Sequence, residues 1–384
     1  MTMTETSTPT ENNTASQTGG RVQRPADELR QLLAEIMPAH RKRWGSSSEF
    51  AALLDFQKIL AQHNWTAPAW PIEIGGRGLS LEDQIACDTE FNRAGAPRQV
   101  AVYGVNNVGP TIAAAGTPEQ KKHLLGITSV SELWCQGFSE PDSGSDLASL
   151  ACRAEADEEG FTINGQKVWT SIGEWATHCM LLVRTDPNSA KHKGISVLLV
   201  PLDIPGITRR PIRQIDGGAE FAEMFFDDVW VPKTALLGPL NEGWRVTMTT
   251  LGFERANVIA MAGQLADTVF TAINDPRIKT ASASLRETAA RLYSDAKMLT
   301  WMGQRSLAGD GMAGGASSII KLSWSKLGQR VSEFRVDLAG LDAVTGLDPD
   351  ATHHFLHGRA STIAGGTTEV MKNLIGERNL GLPR

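Results

Sequence analysis

The chain is poor in cysteine, has no membrane-length apolar run and lacks the short motifs of several common enzyme classes. Its four cysteines, Cys87, Cys135, Cys152 and Cys179, form no CxxC pair and no disulfide-like framework. No secretory signal peptide opens the sequence, so a reducing, cytoplasmic location is expected. No stretch of about 18 apolar residues is available to cross a bilayer, and no membrane helix is expected. A GxSxG elbow is absent, and no Cys/His arrangement supports nucleophilic hydrolysis. The GxGxxG strand–turn–helix signal of a nicotinamide site is missing too. Gly75-Gly76-Arg77-Gly78 follows no β-run and reads as a turn. A net charge of −6 gives no case for nucleic acid or an anionic membrane as main partner. His353 and His357 stand one helical turn apart in HHFLH, but no third ligand or adjacent glutamate accompanies them, so no metal site is expected.

What is present is ordinary in bulk, with 41% hydrophobic and 21% charged residues. The 384 residues exceed one ordinary core, which implies two or three domains. Residues 1–22 are rich in Thr, Ser and Asn and are expected to form a disordered tail. Residues 23–130 carry apolar residues at i, i+3 and i+4 and are expected to be helical. Within them, Thr117-Pro118-Glu119-Gln120 reads as a helix start. From 131 to 238 the period falls to two, in short runs broken by Gly, Asp, Asn and Pro, as in an antiparallel sheet. Residues 239–384 are helical again. One helix of about 30 residues is expected from Asn241, near 45 Å long. Others follow near 283–309, 316–340 and 368–378. Long helices in this arrangement suit a bundle and oligomer formation.

The chemistry concentrates in WCQGFSEPDSGSDLASL, from Trp134 to Leu150, and INGQKVWTS, from Ile163 to Ser171. No strong acid, base or metal set stands out there. The hydroxyls of Ser139, Ser143 and Ser145 and the amides around Gly144 can bind the polar edge of a flat heterocycle. Trp169 can cover a ring face, with Thr170 and Ser171 at an edge or a phosphate. The residues alone equally allow a set of ordinary turns followed by a core tryptophan.

These two runs resemble the signature of the acyl-CoA dehydrogenase family, which are FAD flavoproteins. IAGGTTEVMKNLIGERNLGLPR, from Ile363 to Arg384, is similar to that family's last helix, and GTPEQKKHLL and FFDDVWVP fit as well. The resemblance spans about residues 25–384. It implies an α+β multidomain fold: an N-terminal helical domain, a central antiparallel sheet or barrel, and a C-terminal four-helix bundle. By the same resemblance FAD is the cofactor, bound by Phe138, Ser139, Gly144, Ser145, Trp169, Thr170, Ser171, Thr367 and Glu369. Ser145 also matches a serine close to the acyl-CoA. The implied reaction is α,β-dehydrogenation of an acyl-CoA thioester to the trans-2-enoyl-CoA. A carboxylate removes the α-proton and the β-hydride passes to flavin N5. The electron acceptor is then an electron-transfer flavoprotein, or oxygen if the chain is an oxidase.

The chain departs from the family pattern at the base. Many members carry it in Tyr–Glu–Gly–Thr, where this sequence reads Ala364-Gly365-Gly366-Thr367. A second branch places its glutamate on the long helix before an arginine, and here Glu254 precedes Arg255. Glu254 is therefore the expected base, with Arg255 in a structural or CoA-binding role. Two further family segments that reach a neighbouring FAD are absent, since DPRIKTASASLRETAARLYSD and DLAGLDAVTG stand in their places. The chain thus resembles the base-bearing subunit of actinobacterial α2β2 acyl-CoA dehydrogenases, some of which act on bulky steroid side-chain CoA esters. A homo-oligomer and a non-catalytic or FAD-deficient partner subunit remain the alternatives.

Overall fold

The computed structural model describes residues 23–307 and 316–383, apart from the side chains of 254–260 and 307. The tail expected over residues 1–22 lies outside the described residues. Two compact units are present. One joins the chain up to Gly45 with Leu79–Ala96, and the other contains Ser46–Gly78 and everything from Pro97 onward.

The first unit is a pair of helices, α1 (Pro25–Trp44) and α3 (Leu81–Ala94); α2 (Phe50–Gln62) lies between them in the chain and belongs to the second unit. Asp27 and Glu28 occupy the first turn of α1 and Arg41, Lys42 and Arg43 its last, each sign matching the helix dipole. The Ser80 hydroxyl caps α3 by accepting from the Asp83 N–H. Glu90 is buried between the helices, and its two oxygens accept from Nε and Nη2 of Arg30, both at 2.9 Å. That bidentate geometry fixes the register of the pair.

In the second unit, α4 (Gly109–Ala115) and α5 (His123–Thr128) precede the sheet. The expected helix start at Thr117 is a reciprocal cap. Gln120 N–H donates to Thr117 Oγ1 at 3.2 Å, and Thr117 N–H donates to Gln120 Oε1 at 3.0 Å. The strands are β1 (Trp134–Gly137), β2 (Arg153–Ala156), β3 (Gly160–Ser171), β4 (His178–Arg184), β5 (Ile195–Pro201), β6 (Ile207–Ile212), β7 (Phe221–Pro232) and β8 (Leu236–Leu237). They form one sheet in the order β6-β7-β3-β2-β4-β5-β8. Antiparallel ladders dominate it, with two parallel pairings that alternation did not reveal: β1 lies parallel to β4, pairing Trp134 with His178 and Gly137 with Leu181, and β2 meets β4 in parallel at Arg153 and Arg184. The sheet is therefore mixed.

β4 and β5 are covered on both faces. Residues Cys179–Val183 and Ile195–Val200 are buried without interruption, as expected when both faces of a strand are covered. Leu181, Val183, Leu198 and Val200 face one core with Phe161, Ile163, Met224 and Val229. Met180, Leu182, Val197 and Leu199 face another, with Ile112, Leu124, Ile127 and Val246 of the helices. All four cysteines are buried, and none is in a disulfide. Burial pushes the Cys152 thiol up to about 11, so it is no ready nucleophile.

The C-terminal helices are α6 (Gly243–Ile273), α7 (Ala283–Leu307), α8 (Ala316–Ala339), α9 (Leu341–Thr345), α10 (Pro349–His357) and α11 (Thr368–Leu374). α6 runs for 31 residues, matching the long helix read from the sequence. α6, α7 and α8 pack together around Ala262, Ala266, Val269, Leu292, Ala296, Ile320, Val331 and Phe334. The alanines permit close approach of the axes. The short α10 and α11 lie along α8 and complete the bundle.

The start of α6 is fixed by backbone contact. A Cβ on Gly243 would lie 2.5 Å from Ser196 Cα and 2.6 Å from Ser196 C, atoms of β5 that cannot move aside. Helix propensity alone makes Gly→Ala favourable by about 1 kcal/mol. Gly243→Ala is nevertheless expected to destabilise by about 1–3 kcal/mol, because overpacking wins. A thermal midpoint at or above that of the parent would show that α6 does not press on β5 there.

Candidate active site

The two motif runs meet at one end of the sheet. β1 ends at Gly137, where an added Cβ would strike Leu181 Cδ1 at 2.7 Å and Cys179 Sγ at 2.9 Å. The chain then turns through Phe138 and Ser139, and the Val168 N–H donates to the Ser139 carbonyl at 2.9 Å. That bond holds Phe138 and Ser139 beside Trp169, Thr170 and Ser171. Glu140 and Ser143 exchange backbone hydrogen bonds of 3.1 Å around Pro141 and Asp142, closing a tight turn. Gly144 and Ser145 are exposed beyond it, and a Cβ on Gly144 would meet nothing within 4 Å.

A buried ion pair anchors this loop. Lys167 Nζ donates to Glu140 Oε1 at 2.7 Å and to the Phe138 carbonyl at 3.1 Å. Glu140 also accepts from the N–H groups of Ala151 at 2.6 Å and Cys152 at 2.9 Å. The Lys167 side chain is 0% exposed and that of Glu140 8%. Neither residue was singled out from the sequence, although a signal existed. Lys167 shares parity with Phe161 and Ile163 on the inward face of β3, where a lysine needs a partner.

The parity breaks next. Pairing of β3 with β7 shifts register between Lys167 and Thr170, and Trp169 takes a left-handed backbone with φ of 59°. This bulge turns the indole outward, leaving Trp169 58% exposed with its ring edge-on to Phe221 at 6.1 Å. Thr170 is turned inward instead. Its buried Oγ1 has no hydrogen-bond partner, and neither does the buried Nε2 of Gln136 on β1. Buried polar atoms of this kind cost about 1–3 kcal/mol each when unmet, and they mark where an external group belongs. An exposed indole, hydroxyls at its edge, an open glycine turn and unmet donors together fit a flat heterocycle with a polar rim.

A polar relay joins this cradle to α6. The Asn107 side chain donates to Gln136 Oε1 at 2.8 Å, Thr111 Oγ1 donates to the Asn107 carbonyl at 2.7 Å, and the Thr111 and Thr250 hydroxyls meet at 3.0 Å. Position 254 follows Thr250 by one helical turn on α6. The side chains of Glu254 and Arg255 lie outside the described residues. Thr367 and Glu369 form a second group at the start of α11. The Thr367 hydroxyl accepts from the Val370 N–H, and Glu369 is exposed in the first turn. Lys321, buried on α8, donates to the carbonyls of Ser361 and Gly366 and holds the turn in front of them.

The chain matches the acyl-CoA dehydrogenase N-terminal domain over residues 23–128, the middle domain over 135–229 and the C-terminal domain over 241–380. The chain belongs to the acyl-CoA dehydrogenase family. It is 41% identical over 340 residues to acyl-CoA dehydrogenase IpdE1 of Mycobacterium tuberculosis, covering 85% of this chain and 86% of that one. Among solved structures it resembles the Tcur3481-Tcur3483 steroid ACAD, with a TM-score of 0.81 and 30% identity over 94% of this chain and 97% of that one. The ChsE4-ChsE5 complex from Mycobacterium tuberculosis matches with a TM-score of 0.78 and 30% identity, covering 96% and 99%. This acyl-CoA dehydrogenase is thus an oxidoreductase of a flavoprotein family. No helix among the described residues is long and apolar enough to cross a membrane.

Proposed function

We propose that this acyl-CoA dehydrogenase binds FAD in the 134–171 cradle and converts an acyl-CoA thioester to its trans-2-enoyl-CoA, with Glu254 as the base. The observation that carries the cofactor assignment is the unmet Thr170 Oγ1 beside an outward-facing Trp169. When bound, FAD supplies the acceptor for the β-hydride. The protein's part is positioning. Trp169 covers a ring face, Thr170 and Ser171 offer hydroxyls at the ring edge, and Phe138 and Ser139 contribute the facing turn. Gly144 and Ser145 leave the turn open towards the ligand, with Ser145 also near the acyl-CoA. Thr367 and Glu369 serve the phosphate or adenine end, and Arg255 the CoA.

Glu254 must take a weakly acidic α-proton, which requires a carboxylate in a dry pocket and hydrogen bonds to the thioester oxygen. The relay from Gln136 through Asn107 and Thr111 to Thr250 supports a base on α6, because it ties the turn preceding position 254 to the cradle. Ala364 and Gly365 are both exposed, and their small side chains leave room for a bulky acyl group. A steroid side-chain CoA ester is the substrate class this favours. The likeness to a solved steroid ACAD supports the same reading. We place electron transfer with an electron-transfer flavoprotein, and the working assembly as an α2β2 tetramer with a second dehydrogenase-like chain.

Co-expression with a neighbouring dehydrogenase-like gene product tests the assembly and the substrate together. The expected result is two flavins per mixed tetramer, bleached faster by a steroid side-chain CoA ester than by octanoyl-CoA, without hydrogen peroxide. Four flavins in a homotetramer would sink the heteromer, preference for the straight chain would sink the steroid class, and peroxide release would make the enzyme an oxidase.

A further inference from the structure

The histidine pair on α10 has a partner that sequence spacing could not show. His353 and His357 are four residues apart, and their rings lie side by side with centroids 5.6 Å apart and planes 24° from parallel. Asp216, in the loop between β6 and β7, comes up against them. Its Oδ2 lies 2.9 Å from His357 Nδ1, and the Gly218 N–H donates to its Oδ1 at 2.9 Å. One ligand atom from each of the three residues falls within 4.8 Å of the others. The Asp216 side chain is only 3% exposed, so its carboxylate is held in place, whereas both histidines are exposed and free to adjust.

We propose that Asp216, His353 and His357 bind a divalent transition ion of the zinc class. Two imidazoles and one carboxylate form a donor set that suits zinc and its neighbours. Magnesium and calcium, which demand oxygen ligands, are excluded by it. Metal–ligand bonds of about 2.0–2.2 Å require ligand atoms roughly 3.4 Å apart. The present spacing, 2.9 Å between Asp216 Oδ2 and His357 Nδ1 and no more than 4.8 Å across the three ligand atoms, brackets that value. The Gly218 N–H supplies the outer-shell bond that orients the carboxylate. A fourth position stays open to water. The ion would clamp the β6–β7 loop to α10, five residues before Phe221, whose ring meets Trp169.

A second cluster of similar composition is not such a site. His123 Nδ1 lies 3.0 Å from Oε1 and 2.9 Å from Oε2 of Glu132, Oε2 also accepts from the Trp134 indole N–H at 2.9 Å, and His178 Nδ1 is paired with Thr177 Oγ1 at 2.9 Å. Trp134 also stacks on His178 at 4.8 Å. Its half-buried rings are held by that stacking, whereas His353 and His357 are exposed and able to turn towards a shared ion.

The test uses the untagged, flavin-loaded full chain in its native assembly, treated with a chelator and then titrated calorimetrically with Zn²⁺ alone. One ion per chain is expected. His353→Ala and His357→Ala should each weaken binding by at least about 10–100-fold, the range seen even for outer-shell losses. Asp216→Asn should weaken it in the same direction, and His354→Ala should leave it unchanged. Unaltered flavin content in each variant shows that the fold is intact. One-to-one binding that survives the His353→Ala/His357→Ala double substitution would overturn the site. So would the absence of saturable Zn²⁺ binding in the parent. Mg²⁺ that competes with Zn²⁺ would overturn the assignment to the zinc class.

Discussion

Glu254→Gln is expected to slow bleaching of the flavin by substrate by about 10²–10⁴-fold, the usual contribution of a positioned general base. The amide keeps the volume and hydrogen-bonding capacity of the side chain but cannot accept a proton. Flavin content should not change, because the groups assigned to the cofactor lie in the 134–171 cradle and on α11. This split between lost reduction and retained flavin separates a base from a residue that merely holds the fold. Stopped-flow absorbance with a saturating acyl-CoA reads both quantities. Bleaching at the parent rate would remove Glu254 from its role. The alternative site offers no simple rescue. Gly365 has a φ of 65°, a left-handed backbone that costs an ordinary L residue roughly 1 kcal/mol or more. Gly365→Glu in the Glu254→Gln background is therefore expected to stay slow. A base moved back to that position would need a rebuilt turn as well as a new carboxylate.

What the sequence made legible was local, and what it hid was mostly long-range. The 3.6-residue period located α6, α7, α8 and the start of α11, because amphipathic faces repeat within one segment. The reciprocal cap at Thr117 and Gln120 was legible for the same reason, since its two halves are three residues apart. Alternation located the strands but not their neighbours. The parallel pairing of β1 with β4 joins residues some 44 apart, and neither strand's own pattern names the other. Among the site residues, resemblance gathered Phe138, Ser139 and Trp169–Ser171, and the structure holds them together through Val168 and Ser139. The bulge that turns Trp169 outward was invisible, because a tryptophan in a strand run reads as core. Asp216 and His357 are 141 positions apart, and no spacing rule connects them. The inward lysine at 167 was the one long-range feature with a readable trace, since strand parity places it where charge is costly.

That lysine sets the second large expectation. Glu140→Ala would leave the Lys167 ammonium buried without an opposite charge, and would also strip the Ala151 and Cys152 N–H groups of their acceptor. Removing one member of a buried pair costs about 3–5 kcal/mol, mostly from the charge left behind. Lys167→Met gives a different outcome. It deletes the charge and fills similar volume, leaving Glu140 with its two backbone donors, so a smaller loss is expected. The order Glu140→Ala below Lys167→Met below parent, read from thermal midpoints, is the signature of a stranded charge. Equal losses would instead mean that packing dominates at this position. Both substitutions free the 138–143 turn, Lys167→Met by removing the bond to the Phe138 carbonyl and Glu140→Ala by removing the bonds that tie the turn's own residue 140 to Lys167, Ala151 and Cys152. Flavin release at a lower temperature than global unfolding is therefore expected in each. The pair thereby converts fold stability into cradle geometry. Its inward lysine holds Phe138 and Ser139 against the bulge that presents Trp169, and a sheet without it would keep its strands but lose the fixed turn that faces them.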